Sequence, residues 1–242
     1  MERYTALLRE DGAQVRLRSM LETAIDQPEL HARLVNTLAR MEYVGVRKML
    51  MARLSENLDI DGLQHVVEEA SHALRLKNAA LKLLGSPIGL ETFSEDHTLA
   101  GAAGEGYLQA VDTACAECLA DLPDGSRSEI NYLLSSALIE IRADAFYPVY
   151  EECLRAAGAP FSVRAIQRDE EKHLAEMKEQ LLALCPEWRE RVEAVLPQEK
   201  SAFEAWLSAV EDCLPVERAS IPSRSLEPGG GNNSSDRADH LF

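Results

Sequence analysis

The sequence predicts an all-α protein, and three observations support this fold class. Long segments carry apolar residues at helical spacing, no alternating pattern typical of a β-strand persists, and Gly or Pro separates the segments. The 242 residues are 46% hydrophobic, which suffices for one sizeable core. We therefore expect a single helical domain over 1–214 and a disordered tail over 215–242, where Pro, Ser, Gly and Asn replace apolar residues.

Turn residues give the helix boundaries in order along the chain. Pro28 suits the first turn of a long helix, and Gly85 suits the end of the helix that follows it. The Gly-rich stretch 86–106 and the turn 123–125 separate the next segments, and Pro186 ends another helix. The predicted helices span about 12–25, 28–56, 60–84, 105–121, 126–157, 163–184, 187–195 and 198–213.

Four of the predicted helices are long and form the core of the domain, over about 28–184. Short turns join 28–56 to 60–84 and 126–157 to 163–184, so each pair should form an antiparallel hairpin. The connection of about forty residues between the hairpins allows a crossover. The expected architecture is a four-helix bundle with extra helices before the bundle, in the crossover and after the bundle.

The charge of the chain argues against two classes of partner. It has 25 Lys and Arg against 41 Asp and Glu, and its net charge of −16 repels the phosphates of nucleic acids and anionic lipids. No apolar stretch reaches the ~18 residues that a membrane span requires, and the first residues show no secretory signal. The five scattered cysteines suit a reducing compartment. We expect a cytoplasmic protein that binds neither nucleic acid nor membrane.

Each of the four long helices carries a glutamate in the middle of its apolar stripe, and two of them carry a histidine three residues later. An unpaired carboxylate in a core is so unfavourable that a cation is expected between the four helices. Glu-x-x-His places both side chains on one helix face. Four carboxylates and two imidazoles suffice for two divalent metal ions. The predicted metal ligands are Glu42, Glu69, His72, Glu140, Glu170 and His173.

In two of the helices, the glutamate next to a predicted ligand is an alternative ligand if a slightly different face of the helix is buried. Glu68 and Glu171 adjoin Glu69 and Glu170 in the sequence. The apolar stripes favour Glu69 and Glu170, so Glu68 and Glu171 are expected to be solvated neighbours. Across each hairpin the ligand glutamates are 27 and 30 residues apart, and these intervals bring them level along the bundle.

In these residues the chain resembles the ferritin-like (rubrerythrin-like) superfamily of dinuclear carboxylate proteins, over about 28–184. The motifs that carry the resemblance are Glu42, Glu69-Ala-Ser-His72, Glu140 and Glu170-Glu171-Lys172-His173. The resemblance implies a ferritin-like four-helix bundle with two iron ions, or alternatively manganese or a mixed iron–manganese pair. It assigns no subfamily. Because Cys115 and Cys118 form the one closely spaced cysteine pair, we expect no rubredoxin domain of the kind found in full-length rubrerythrins.

Residues one or two turns from the ligands are candidates for supporting roles. A metal-bound histidine usually donates its other ring N–H to a carboxylate, and Asp144, on the stripe of Glu140, is the candidate acceptor. Tyr147 follows on the same stripe and either packs in the core or provides a hydrogen bond or a redox-active phenol. Gly45 either leaves space for dioxygen or substrate or allows two helices to pack closely. His65 receives no role.

The predicted ligand set leads to three hypotheses of function. The first is a non-haem di-iron oxidase or oxygenase that activates O2 to oxidise a small organic substrate. Its electrons would come from a reductase or a ferredoxin-like donor. The extra helices favour this hypothesis because they can form a substrate pocket. The second is ferroxidase, peroxidase or manganese-catalase-like chemistry on the metal or on peroxide. The third is a metal-free helical interaction protein, which leaves the core glutamates unexplained. A homodimer is expected by analogy with the superfamily alone.

Overall fold

The computed structural model describes residues 1–9, 12–52 and 58–215. These residues form α-helices and a 3₁₀ turn at Glu95–His97, with no β-strand among them, so the predicted all-α class is confirmed. Within the same residues, no helix has the length and apolar character to cross a membrane. The helices are α1 (Glu2–Arg9), α2 (Ala13–Ile25), α3 (Pro28–Ala52), α4 (Ile60–Leu84), α5 (Gly101–Cys118), α6 (Asp124–Ala156), α7 (Arg164–Leu184) and α8 (Trp188–Asp212).

Two helix pairs form the centre of the fold. α3 packs along α4 and α6 packs along α7, as the predicted hairpins require; α3 also contacts α6, and α4 contacts α7. Side-chain contacts show that the facing helices are antiparallel: His31–Tyr150 and Lys48–Ser135 join α3 to α6, and His72–Asp169 and Glu68–His173 join α4 to α7. Because α3 is antiparallel to both α4 and α6, those two helices run in the same direction. The segment 85–123 therefore returns along the bundle, as a crossover does.

The remaining helices cover the α3 and α6 side of this bundle. α5, which lies in the crossover, packs on α8, α6 and α3, while α1 and α2 pack on α6. A buried ion pair links three of these helices: Arg142 of α6 donates twice to the fully buried Glu199 of α8, each time over 2.7 Å. Tyr107 of α5 donates to the same carboxylate over 3.0 Å. The crossover and the C-terminal helix are thereby fixed to the bundle.

α1 lies ahead of the first predicted helix, at about 12–25, and the sequence pattern does not reveal it. A helix of eight residues is too short to be stable in isolation. Tyr4, Thr5 and Leu8 are buried, and the ring of Tyr4 meets that of Trp188 edge-on with 6.3 Å between centroids. Tertiary packing therefore stabilises a helix that local sequence does not specify.

The prediction of two C-terminal helices, 187–195 and 198–213, is wrong. The structure has one helix there, α8, which continues through Pro197. Proline lacks an amide donor and normally ends or kinks a helix. Here the residues on both sides, Leu196 and Glu199 among them, are buried in the core. Their packing outweighs the lost backbone hydrogen bond.

Other predicted boundaries differ by a few residues or fall outside the described part of the chain. α5 begins at Gly101 rather than at about 105, directly after Ala100, whose φ of 53° lies in the left-handed region. The predicted end of the helix 28–56 falls within 53–57, and the predicted tail falls within 216–242 apart from Pro215. Both of these segments lie outside the described residues.

Candidate metal centre

The four bundle helices bring all six predicted ligands together in one cluster. α3 contributes Glu42, and α6 contributes Glu140. The other ligands come from the two Glu-x-x-His motifs, in α4 and α7. Two sets of four side chains have ligand atoms that all lie within 4.8 Å of one another: Glu42, Glu69, His72 and Glu170, and His65, Glu69, Glu140 and His173. The cluster therefore offers two adjacent groups of metal-ligating atoms that share Glu69.

The spacing of the donor atoms suits bound metal ions. The two oxygens of Glu170 face different histidines, since Oε1 lies 3.1 Å from His72 Nδ1 and Oε2 lies 3.2 Å from His173 Nδ1. Glu69 Oε1 lies 3.2 Å from His173 Nδ1. Two ligand atoms that each lie about 2.1 Å from one ion are separated by roughly 3 to 4.2 Å. Glu170 together with His72 and His173 would thus help to hold a pair of divalent ions.

The burial of these groups favours a cation between them. His72 and His173 are fully buried, and Glu69, Glu140 and Glu170 are at most 7% exposed. Glu69 Oε1 and His72 Nδ1 are buried and form no hydrogen bond. Buried polar atoms of this kind normally have a partner, and a cation inside the cluster would be the partner of both. The donor set and its burial therefore fit a pair of divalent metals.

The carboxylates also change one another's protonation. Burial and the neighbouring carboxylates raise the pKa of Glu42 and of Glu140 well above the ordinary range. Burial lowers the pKa of both histidines, but nearby carboxylates, Glu170 first, outweigh it and raise the pKa of His72 to about 9 and that of His173 to about 10. The cluster thus retains protons near neutral pH, and divalent cations would replace them.

Each of the two candidate ligand histidines has a carboxylate on its outer side. His72 Nε2 lies 3.1 Å from Asp169 Oδ2, and His173 Nε2 lies 2.9 Å from Glu68 Oε2. A ring that donates its Nε2 proton outward keeps the lone pair of Nδ1 for a metal. Glu68 therefore has a contact that the sequence analysis did not predict. Glu171 is exposed, as expected of a solvated neighbour.

Asp144 does not accept from either histidine, contrary to the expectation from its stripe. Its carboxylate and its backbone carbonyl both accept from Arg9, over 3.3 and 2.7 Å. The physical reason is the direction of the rings: their Nε2 atoms face the α4–α7 interface, whereas Asp144 lies on α6 and turns towards α1. The partners come instead from α4 and α7 themselves.

Tyr147 reaches the cluster through a hydrogen bond. Its hydroxyl donates to Glu42 Oε1 over 2.5 Å, and its side chain is buried. Burial and the charge of Glu42 raise the pKa of Tyr147 well above its ordinary value, so the phenol stays protonated. Of the alternatives open from sequence, the structure shows the hydrogen bond.

His65 is part of the cluster although the sequence analysis gave it no role. Its Nε2 lies 3.5 Å from Glu69 Oε1, and its ring centroid lies 3.9 Å from that of His173. The signal available in the sequence was the four-residue spacing to Glu69, which places both side chains on one helix face.

A cavity of about 130 Å³ adjoins the cluster on the side of α5 and α8, and the four ligand glutamates form part of its wall. A methyl group on Gly45 would meet no atom outside its own helix closer than Glu69 Oε2, at 4.0 Å. Gly45 thus leaves open space beside the carboxylates. An apolar cavity of about 150 Å³ is large enough for benzene. The remaining wall is mostly apolar and includes Met41, Tyr107, Ile139, Phe146, Phe203 and Trp206.

Comparison with known proteins assigns no family. No protein-family model matches the chain, and neither a curated protein nor a solved structure matches it.

Proposed function

We propose that this chain is a dinuclear-metal oxidase or oxygenase of the ferritin-like (rubrerythrin-like) type, which activates O2 to oxidise a small organic substrate. The observation that carries the proposal is the convergence of four glutamates and two histidines from four helices in one buried cluster. Four carboxylates balance the charge of two divalent ions, so the occupied cluster is electrically neutral. Carboxylates and imidazoles that converge in this way would serve as the ligands of a resident metal pair.

Iron is the proposed metal, with manganese or a mixed pair as the alternative. The donors are imidazole nitrogens and carboxylate oxygens, a mixture that suits iron, while a set of oxygens alone would suit manganese or magnesium better. In the reduced state the metals would supply electrons to dioxygen; an external donor of the reductase or ferredoxin-like class would restore that state.

The protein's own side chains orient the candidate metal ligands and form the wall of the cavity beside them. Asp169 and Glu68 hold the tautomers of the two histidines, and the Tyr147 hydroxyl fixes the orientation of Glu42. Glu42 is half-buried, and it borders the cavity together with Glu69, Glu140 and Glu170. The largely apolar wall favours a substrate of roughly the size of benzene.

The cavity also supports this proposal over chemistry on peroxide or on the metal alone. Ferroxidase, peroxidase or catalase-like activity requires only small inorganic reactants, for which an apolar wall of aromatic and methionine side chains provides no specific contact. An organic substrate explains both the cluster and the cavity beside it.

The first test is the metal content of the protein, purified without chelator from iron-supplemented cells. We expect about two metal ions per chain, and we expect Glu69→Ala/Glu170→Ala to lose them. Glu171→Ala is the matched control, since Glu171 adjoins the cluster in sequence but is exposed. Folded protein that remains metal-free after anaerobic reconstitution with ferrous iron or manganese would contradict the proposal. Metal-loaded protein that consumes peroxide but not dioxygen would favour the peroxide chemistry instead.

A further inference from the structure

The two halves of the cluster are related by a repeated pattern, and His65 breaks it. α4 carries His65, Glu69 and His72, whereas the corresponding positions of α7 are occupied by Ile166, Glu170 and His173. Ile166 is a buried core residue. One side of the cluster therefore has an imidazole where the other has a hydrocarbon side chain.

His65 contacts the half of the cluster that contains His173. One of its ring nitrogens lies within 4.8 Å of ligand atoms of Glu69, Glu140 and His173, and His65 does not belong to the set that contains His72. The side chain is only 13% exposed. Its ring lies against that of His173, with planes 38° apart. Both rings thus face one potential metal position.

We infer that His65 is a third histidine ligand, and that it makes the two metal positions chemically unequal. The two-histidine position comprises His65, His173 and Glu140; the one-histidine position comprises His72 and Glu42; Glu69 and Glu170 lie between them. This inference rests on the proposed function, because it presupposes that the cluster binds metals.

The inequality predicts a preference between metals. Imidazole nitrogen suits iron, whereas carboxylate oxygen suits manganese, and the affinity of a given site generally rises from Mn²⁺ through Fe²⁺ to Co²⁺. The two-histidine position should therefore bind Co²⁺ or Fe²⁺ more tightly than the one-histidine position does. The one-histidine position, richer in oxygen, is the one that would accept manganese in a mixed pair.

The test is anaerobic titration of chelator-treated protein with Co²⁺, monitored by visible absorption, in the wild type and in His65→Ile. The variant places at 65 the residue that the other half of the cluster has at 166. In the wild type we expect two steps whose affinities differ by at least about tenfold. In the variant we expect the tighter step to weaken by at least the roughly 10- to 100-fold that loss of an outer-shell partner of a metal ligand costs. X-ray absorption after one equivalent of Co²⁺ should show two imidazoles in the wild type and one in the variant.

The outcomes separate this inference from the proposed function. If His65→Ile binds cobalt with both steps unchanged and the same number of imidazoles, His65 is not a ligand, although the dinuclear centre stands. If the wild type binds no metal, the proposed function and the inference both fail. Circular dichroism and the melting temperature of the metal-free variant show whether the fold is retained, so that a lost step is attributed to the ligand.

Discussion

Glu68 Oε2 lies 2.9 Å from His173 Nε2, on the side of the ring that faces away from the carboxylate cluster. The same relationship joins Asp169 to His72 at 3.1 Å. In both cases a carboxylate on the neighbouring helix fixes the ring so that Nδ1 points inward. The α4–α7 interface therefore orients the two histidines, while α3 and α6 supply the two remaining glutamates.

Replacement of Glu68 should weaken metal binding without removing a ligand. In Glu68→Ala, His173 loses the acceptor that fixes its tautomer, and we expect the metal affinity to fall by about 10- to 100-fold. The lost ion pair with Lys172 is largely exposed and contributes little. The measurement is a competition titration with a chelator of known affinity. Glu171→Ala is the matched control, and equal affinities in the two variants would refute the orienting role of Glu68.

Filling the space at Gly45 should prevent binding of small apolar molecules. We expect benzene to raise the melting temperature of the wild type and to have no effect on Gly45→Leu, because the new side chain occupies the cavity beside Glu69. Gly106→Leu, at an exposed position in α5, is the control for the change in helix propensity. A thermal shift with benzene that persists in Gly45→Leu would place the ligand elsewhere.

The buried ion pair between Arg142 and Glu199 should be a large contributor to stability. In Glu199→Ala the guanidinium loses both charge-assisted hydrogen bonds inside the core, and we expect the free energy of unfolding to fall by about 3 to 5 kcal/mol. Urea denaturation monitored by circular dichroism gives this value. Glu211→Ala, on the same helix, breaks the partly exposed ion pair with Arg16 and should cost at most about 1 kcal/mol. Similar losses in both variants would contradict the importance of burial.

Stability should fall in acid because of His31. Burial lowers the pKa of His31 to about 4, while the unfolded chain titrates near 6.5. Since the unfolded state binds this proton first as the pH falls, the contribution is present above about pH 6.5 and is lost progressively towards pH 4, by about 3 kcal/mol. His31→Gln removes the titrating group and can still bond to the Tyr150 hydroxyl, which lies 2.8 Å from His31 Nε2.

The measurement for His31 is the free energy of unfolding of metal-free protein in urea at a series of pH values. Metal-free conditions remove the separate pH dependence of metal binding. The wild type should lose stability relative to His31→Gln between about pH 6.5 and pH 4. If the free energy of unfolding changes with pH in the same way in both proteins, the pKa of His31 is not lowered by burial.

The fold could be predicted for the helices that are long enough to show a clear apolar stripe. The apolar stripes of α3, α4, α6 and α7 specify which face of each helix is buried, and Glu-x-x-His is a relationship within one turn. The six clustered side chains follow from these local patterns because a residue on a core stripe must face the other helices. α1 and the continuity of α8 do not follow, since packing against other helices decides whether a short helix forms and whether Pro197 is tolerated.

The helical class, the long core helices and the side chains that meet at the middle of the core can be predicted from the sequence, because hydrophobic periodicity encodes burial along a single helix. The packed structure was needed to show which carboxylates contact the histidines, that Asp144 pairs with Arg9 instead, and that His65 lies beside His173. These relationships depend on how each helix is rotated and placed against its neighbours. That arrangement results from the packing of all the helices together, and no local pattern records it.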